Sequence, residues 1–519
     1  MTALGGKETP RLADVLGSLS LVTDLAAGVP SESSLKTCAV AAELGRRLQL
    51  PDDDRADAYY TSLLRHLGCT AFSHEAAQLG AGDDHHFLQT FEDVDPTNLA
   101  ATGARAVRRL ARHARPGARA AAVTRVVTSP GTAAALARAQ CSQAAALASD
   151  IAMSPRVVRA LGQIYEHWGG GGPQGLAGEE IELAARLLHV ANVVEIQHRH
   201  GGRARAEDQV RRRAGRHLDP RLCRAFLADS ATFWALLEPT SIWEIFLELE
   251  PGAPKRVEAE TRGDVALAFA SFADLKIPSK VGHSRAVAAL AERAGRVSAL
   301  PADELATLRL AALLHDLGVV GVPNGVWEKP GALNPSEWER VRLHAYFTQR
   351  VLARVPGLER VAEVASLDHE RCDGSGYPRA TPLPESARSG RILAAADVYC
   401  ALLEPRPYRP ARDGAAAADV LRDEARAGRL SAHAVDCVLA ATGKGPPPPA
   451  TPPASVTERE VDVLVALARG WTNKEIGVAL GISAKTVQHH LARIYEKLGV
   501  STRAGAALVA VRSQLLPQP

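Results

Sequence analysis

Aromatic residues are only 4% of the 519-residue chain, and runs of alternating Val, Ile and Thr are nearly absent. That scarcity excludes a predominantly β protein. No stretch reaches about 18 uninterrupted apolar residues, so no membrane-spanning helix is expected. The opening MTALGGKETPRLADV lacks a basic segment followed by an apolar one, which argues against a secretory leader and for a cytoplasmic protein. The seven cysteines (38, 69, 141, 223, 372, 400, 437) are never spaced Cys-x-x-Cys, so neither a zinc knuckle nor a disulfide framework is indicated. A formal net charge of +3 and 46% apolar residues exclude both a bulk polycation and an extended disordered chain. What remains is Ala-, Leu- and Arg-rich sequence with 3.6-residue periodicity, and the fold class read from it is all-α.

The segment Gly443 to Ser455, GKGPPPPATPPAS, reads as a stiff extended spacer, because proline fixes φ and removes backbone donors. Beyond it, residues 455–519 hold eight Lys/Arg against five Asp/Glu, so the tail carries the chain's entire positive surplus. Upstream there is a faint internal duplication. Tyr59-Tyr60 through Gly68 sets beside Leu313 through Gly318, and Glu166, Pro173, Arg186 and Asn192 set beside Glu370, Pro378, Arg391 and Asp397. The expected organisation is a lead over 1–30, a first helical domain over 31–230, a helical connector over 231–275, a second helical domain over 276–442, the linker 443–455 and a C-terminal module over 456–516. Residues 80–86 and 169–175 read as loops, and His74-Glu75 and Asp83-Asp84-His85-His86 as a solvated polar surface.

Between 276 and 400, histidines and acids fall at helix ends or on helical faces: His283, His315-Asp316, His344, His369 and Asp397. Imidazole and carboxylate donors without thiol suit Mn²⁺ or Fe²⁺, and an adjacent His-Asp pair lets one carboxylate bridge two ions. An ionised Asp316 at the end of the apolar run LRLAALL needs compensation, which a metal supplies.

The order HS, LLHDLG, GVP, KPG, a lone His, HERCDGSGYP, RILAAAD and RPYRPA resembles the HD-GYP family of phosphohydrolases over roughly 276–440. The resemblance implies a helical bundle with a site of two or three ions that hydrolyses phosphodiesters, typically cyclic di-GMP. It places His283, His315, Asp316, His344, His369 and Asp397 as metal ligands, His315 and Asp316 as the catalytic pair, and Gly376, Tyr377 and Arg406 near substrate. The sequence departs from the family pattern at several points. Val319 stands where a lysine follows HDxG, Asp368 replaces the first His of a pair, Asn324 replaces a common Asp, Ser279 lacks an extra carboxylate, and 380–385 lose the GLxGE pattern. Carried onto the first copy, the same positions fall on Ser33, Arg65-His66, Tyr165 and Asn192, so that copy reads as a degenerate HD-GYP-like domain without ions.

In the tail, Thr457 and Glu460 form a capping box before the apolar face Val461, Leu464, Val465 and Ala468. Gly481-Ile482-Ser483 reads as the tight turn before a helix over 484–498, whose inner face is Val487, Leu491, Ile494 and Leu498. The tail closely resembles the LuxR class of four-helix helix–turn–helix domains. That likeness implies double-stranded DNA as partner, with Gln488 and His489 toward base edges and Lys474, Lys485, Thr486, Arg493 and Lys497 toward phosphates. Ala506 to Val511 offers an apolar stretch for a homodimer contact. The combined reading is a transcription regulator with a tandem HD-GYP-like sensory or phosphohydrolase region. The alternatives are an active cyclic dinucleotide phosphodiesterase with a DNA-targeting tail, and a scaffold whose helical domains only dimerise the reader.

Overall fold

The computed structural model describes residues 9–112, 114–128, 130–442, 453, 455–513 and 515–516, and these are overwhelmingly helical. Among the described residues β pairing is limited to isolated bridges such as Arg11 with Arg256 and Arg406 with Arg409, as the all-α reading requires. The spacer 443–455 lies outside the described residues except for Pro453 and Ser455. The chain divides into two compact units, residues 10–258 and, principally, residues 259–519.

In the first unit the helices Ser33–Arg47, Asp52–Leu63 and Leu183–Arg213 pack around a core that includes Val40, Leu44, Leu187, Val190, Val194 and Phe226. The helix Leu12–Ala27, within the stretch read as a lead, is buried along nearly its whole length. The reading of 80–86 as loop is corrected from Asp84 onward. Asp83 caps the helix Asp84–Phe91 by accepting from the backbone N–H of His86, and His74 and Glu75 stand on the helix Ser73–Leu79. A side-chain oxygen at the N-cap satisfies a donor that a loop would leave to water, and this is the signal the sequence reading passed over.

In the second unit the helices His283–Val297, Ala302–Leu314, Pro335–Leu352, Arg388–Leu403 and Ala432–Ala441 form the bundle. Local chemistry sets their ends. Asp303 and Glu304 place negative charge on the first turn of Ala302–Leu314, where the helix dipole favours it. Asn334 and Glu337 form a capping box around Pro335, fixing where the helix bearing His344 begins.

The same devices recur in both units. Asp24 accepts from the backbone N–H and the hydroxyl of Ser34, and Asp274 does the same for Ser284. A Cβ on Gly68 would lie 2.1 Å from the carbonyl oxygen of Gln140, and one on Gly318 would lie 2.0 Å from that of His344. In each unit two segments thus cross so closely that only glycine fits. This pairing sets Gln140 beside His344, a correspondence that the sequence comparison did not reach.

The tail forms the helices Glu458–Ala468, Asn473–Leu480, Ala484–Leu498 and Arg503–Arg512. Both capping boxes, Thr457 with Glu460 and Thr472 with Glu475, are made, and Ser483 accepts from the N–H of Thr486. Val487, Leu491 and Ile494 are buried as expected, but the stripe on the first of these helices is Val463, Leu464, Leu467 and Ala468, with Val461 and Val465 half-buried. Ala506, Ala507, Leu508, Ala510 and Val511 are buried in a core shared with Leu275 and Val281 of the bundle, so a dimer contact no longer rests on them.

Gly318→Ala should destabilise the second unit by roughly 1–3 kcal/mol through overpacking against the His344 backbone. Gly103→Ala, where a Cβ meets nothing within 4 Å, should not destabilise the chain. Denaturant unfolding of the two variants checks the contrast.

Candidate metal centre and nucleic-acid interface

The helix Ala302–Leu314 ends at His315, and the chain turns through Asp316 into the short 3₁₀ segment Leu317–Gly321. Thr348 locks this turn: its hydroxyl donates to the His315 carbonyl and accepts from the Gly318 N–H, each at 2.9 Å. His315 Nδ1 lies 2.8 Å from the Ala312 carbonyl, and His344 Nδ1 meets the Val341 carbonyl. Each backbone contact fixes a tautomer and leaves Nε2 as the lone-pair donor. His283 opens its helix, with Nε2 3.1 Å from Asp397 Oδ1 and Nδ1 2.7 Å from Glu404 Oε1.

All six sequence-read positions converge. One set of donor atoms comprises Asp316, His344, Asp368 and His369, a second His283, His315 and Asp397, and within each set the atoms lie within 4.8 Å of one another. Asp316 stands between the two: its Oδ1 is 3.8 Å from His344 Nε2, while Oδ2 is 3.6 Å from His283 Nε2 and 3.5 Å from His315 Nε2. That is the arrangement expected of a bridging carboxylate. His283, His315, Asp316, His344, Asp368 and Asp397 are all buried, yet His315 Nε2, His344 Nε2 and both carboxylate oxygens of Asp368 have no hydrogen-bond partner. Unpartnered ligand atoms of this kind, drawn together in a buried cluster, fit divalent ions.

The electrostatics agree. Burial opposes ionisation of Asp316, but Lys280 and the three histidines outweigh it and hold the carboxyl far below its ordinary range. Burial likewise depresses His315, and the Asp316 and Asp397 carboxylates overcome it, lifting the imidazole to about 10. Burial pushes Asp368 up to about 8 against the pull of His315. Without ions the cluster therefore neutralises itself with protons and the Lys280 ammonium, which pairs with Asp316.

Three contributors were not in the sequence-read set. Asp368 was noted only as a departure. Glu404, which holds His283 from 121 residues away, gave no sequence signal. Lys280, on the 3₁₀ turn Pro278–Lys280, brings an ammonium to the cluster, whereas Val319 is buried. Its position three residues before His283 was the available hint.

Beside the cluster is a cavity of about 680 Å³ whose wall includes Lys280, Trp327, Lys329, Tyr377 and Arg406. The Tyr377 ring stacks on that of His369, with centroids 4.7 Å apart. Arg406 reaches the same cavity and pairs with Glu404 at 2.8 Å. Gly376 is placed differently from expectation: a Cβ there would lie 2.4 Å from the His369 carbonyl oxygen, so the glycine admits the chain's own backbone and not a ligand. Asn324 donates to the Lys276 carbonyl and to Glu328.

On the tail, Lys474, Lys485, Thr486, Gln488, His489 and Arg493 are exposed. Lys497 is also exposed, but its ammonium lies 2.6 Å from Glu460 and pulls that carboxyl down to about 2. This lysine is committed to its own domain in a way the other cations are not.

Residues 132–222 and 268–432 match the HD domain model, and residues 454–510 match the model of bacterial regulatory proteins of the luxR family. The chain thus carries HD-domain segments followed by a LuxR-family helix–turn–helix. Among curated proteins it is 29% identical over 411 residues to the 3'3'-cGAMP-specific phosphodiesterase 3 of Vibrio cholerae serotype O1, an alignment covering 77% of this chain and 88% of that one. It is 40% identical over 127 residues to a cyclic di-GMP phosphodiesterase of Thermotoga maritima, covering 23% of this chain and 34% of that one. The crystal structure of a cyclic GMP-AMP specific phosphodiesterase in V. cholerae shares the fold, with a TM-score of 0.57, 24% identity, and coverage of 85% of this chain and 99% of that chain. No described helix is long and apolar enough to cross a membrane.

Elemental analysis of the purified chain is expected to find divalent metal, which Asp316→Ala removes. Glu404→Gln should weaken retention by about 10–100-fold, the usual cost of losing a carboxylate behind a ligating histidine. Unchanged metal content in both variants would contradict this assignment of the cluster.

Proposed function

We propose that the chain is a DNA-binding transcription regulator whose second HD segment binds a cyclic dinucleotide and hydrolyses it. The observation that carries this reading is the pair of neighbouring donor sets, with Asp316 of one set within 3.6 Å of His283 and His315 of the other, beside a cavity of nucleotide size. The ligands are taken to be His283, His315, Asp316, His344, His369 and Asp397, joined by Asp368, and the ions to be two, of Mn²⁺ or Fe²⁺ type. Ions so held polarise a phosphoryl oxygen and make water nucleophilic near neutral pH.

The chain's own groups supply the rest. Glu404 holds His283 in one ring orientation, and Thr348 fixes the His315–Asp316 turn. Tyr377, backed by His369, and Trp327 offer faces for bases, while Lys329, paired with Glu337, and Arg406, paired with Glu404, line the wall where phosphate oxygens would lie. The activities of the relatives, on 3'3'-cGAMP and cyclic di-GMP, support this substrate class. A second reading, a sensor that binds without turnover, is favoured by one specific feature: the Lys280 ammonium already occupies the Asp316 carboxylate.

The helix–turn–helix is positioned to respond. Val281 and Gly282, between Lys280 and His283, sit against the tail's last helix: Val281 belongs to the tail's core, and a Gly282 Cβ would lie 3.2 Å from Val511. Occupancy of the site and the placement of the reader are therefore linked through one short segment, and we take the functional form to be a homodimer.

Incubation with 3'3'-cGAMP or cyclic di-GMP and Mn²⁺ is expected to release a linear dinucleotide, and Asp316→Ala to abolish the release. Metal-loaded protein that binds the dinucleotide without cleaving it would establish the sensor reading. In gel shifts, Lys485→Ala and Arg493→Ala should each reduce the slope of log affinity against log salt by about 1. Lys497→Ala should change it less, because that ammonium is paired with Glu460. Operator affinity should differ with and without cyclic dinucleotide, and identical affinities at every concentration would remove the coupling.

A further inference from the structure

The first unit retains a pocket at the place corresponding to the metal site, and its floor is an arginine. Arg65 stands where the second unit has His315, and its side chain is buried with 4% of its surface exposed. The guanidinium donates to Asn192 Oδ1 at 2.6 Å, to Ser33 Oγ at 3.1 Å, to Thr37 Oγ1 and, through Nε, to His66 Nε2 at 3.0 Å. Ser33, Asn192 and His66 are the counterparts of His283, Asp397 and Asp316, so one fixed cation has taken the place of the ions. All four acceptors are uncharged, His66 being held neutral by burial and by Arg65 itself.

Two buried acids act on Arg65 through space, Glu195 and Asp24: Asp24 accepts from Ser34, and Glu195 pairs with Arg199 through Oε1 while its Oε2 has no hydrogen-bond partner. A buried guanidinium whose direct hydrogen-bond acceptors are all neutral gains from an anion placed against it. Beside it lies a cavity of about 280 Å³. Arg199, paired with Glu92 and Glu195, and Arg213, which donates to the Asp93 carbonyl and to Gln209, also line its wall, and Glu92 is the acid that lines it. Tyr165, the counterpart of His369, lines it with 37% of its surface open, and Phe91 supplies a second ring.

We propose that this cavity is a second ligand site, for a phosphate monoester of mononucleotide size, with the phosphate toward Arg65 and the ring system against Tyr165 and Phe91. The cavity is less than half the volume of the one beside the metal cluster, which selects a mononucleotide over a cyclic dinucleotide. The Arg65 guanidinium, with no carboxylate directly against it, suits a phosphate. This inference does not depend on hydrolysis in the second unit.

The test is thermal unfolding of the full chain in EDTA with 5'-GMP, 5'-AMP, guanosine or inorganic phosphate. At about 100 times its Kd, a mononucleotide should raise the midpoint of the first unit by several degrees. Guanosine should leave it unchanged, and inorganic phosphate should act more weakly. Arg65→Met should abolish the shift, and because it also orphans the four acceptors of Arg65 its own midpoint is measured without ligand. Arg199→Gln, on the partly exposed wall, should weaken it and serves if Arg65→Met does not fold. His344→Ala, in the second unit, should retain the shift. The proposal is overturned if no mononucleotide raises the midpoint, if inorganic phosphate matches 5'-GMP, if the shift survives in both arginine variants, or if His344→Ala eliminates it.

Discussion

A charged group taken out of water must meet a compensating charge, and both units of this chain are organised around that requirement. In the second unit, carboxylates and imidazoles face one another in a buried cluster with orphaned oxygens and nitrogens, balanced by Lys280 and protons and suited to cations. In the first, the corresponding cleft has been given its own cation in Arg65, and the residues around it have changed from acids and histidines to Ser33, Asn192 and His66. The scaffold that frames the two clefts is otherwise preserved. The Asp–Ser contact at the base and the crossing at Gly68 or Gly318 recur with matching geometry.

Position and chemistry are connected through the short stretch from Ile277 to His283. Lys280 and His283 point one end of it into the cluster, and Val281 anchors it in the apolar core of the helix–turn–helix. A segment that carries a donor atom of the cluster, a counter-charge and a packing surface cannot shift at one end without disturbing the other. A link between ligand occupancy and DNA binding therefore needs no long pathway, only two arrangements of this loop.

Most of the clustered positions were legible in sequence because they sit at a helix terminus or on a buried helical face, where a histidine or aspartate departs from the apolar pattern; His369 stands instead on the turn after the helix Glu359–Ala365. The tail was legible for a similar reason: its capping boxes and turn are local, and the structure makes them as written. Contacts that join remote segments were not legible. Glu404 reaches His283 across 121 residues, and Gln140 is matched to His344 only by the glycine that each one faces. The resemblance places Gly376 near substrate, but sequence does not show that the His369 carbonyl fills the space where its Cβ would be. Lys497 looked like any other cation on the recognition helix until Glu460, on a neighbouring helix, was seen to hold it.

The most direct test is anomalous diffraction from crystals of the full chain grown with Mn²⁺ or Fe²⁺. The account predicts two peaks in the second unit, one within the Asp316, His344, Asp368 and His369 set and one within the His283, His315 and Asp397 set, and none beside Arg65. Absence of both peaks, or density for an ion in the cleft that Arg65 occupies, would contradict it.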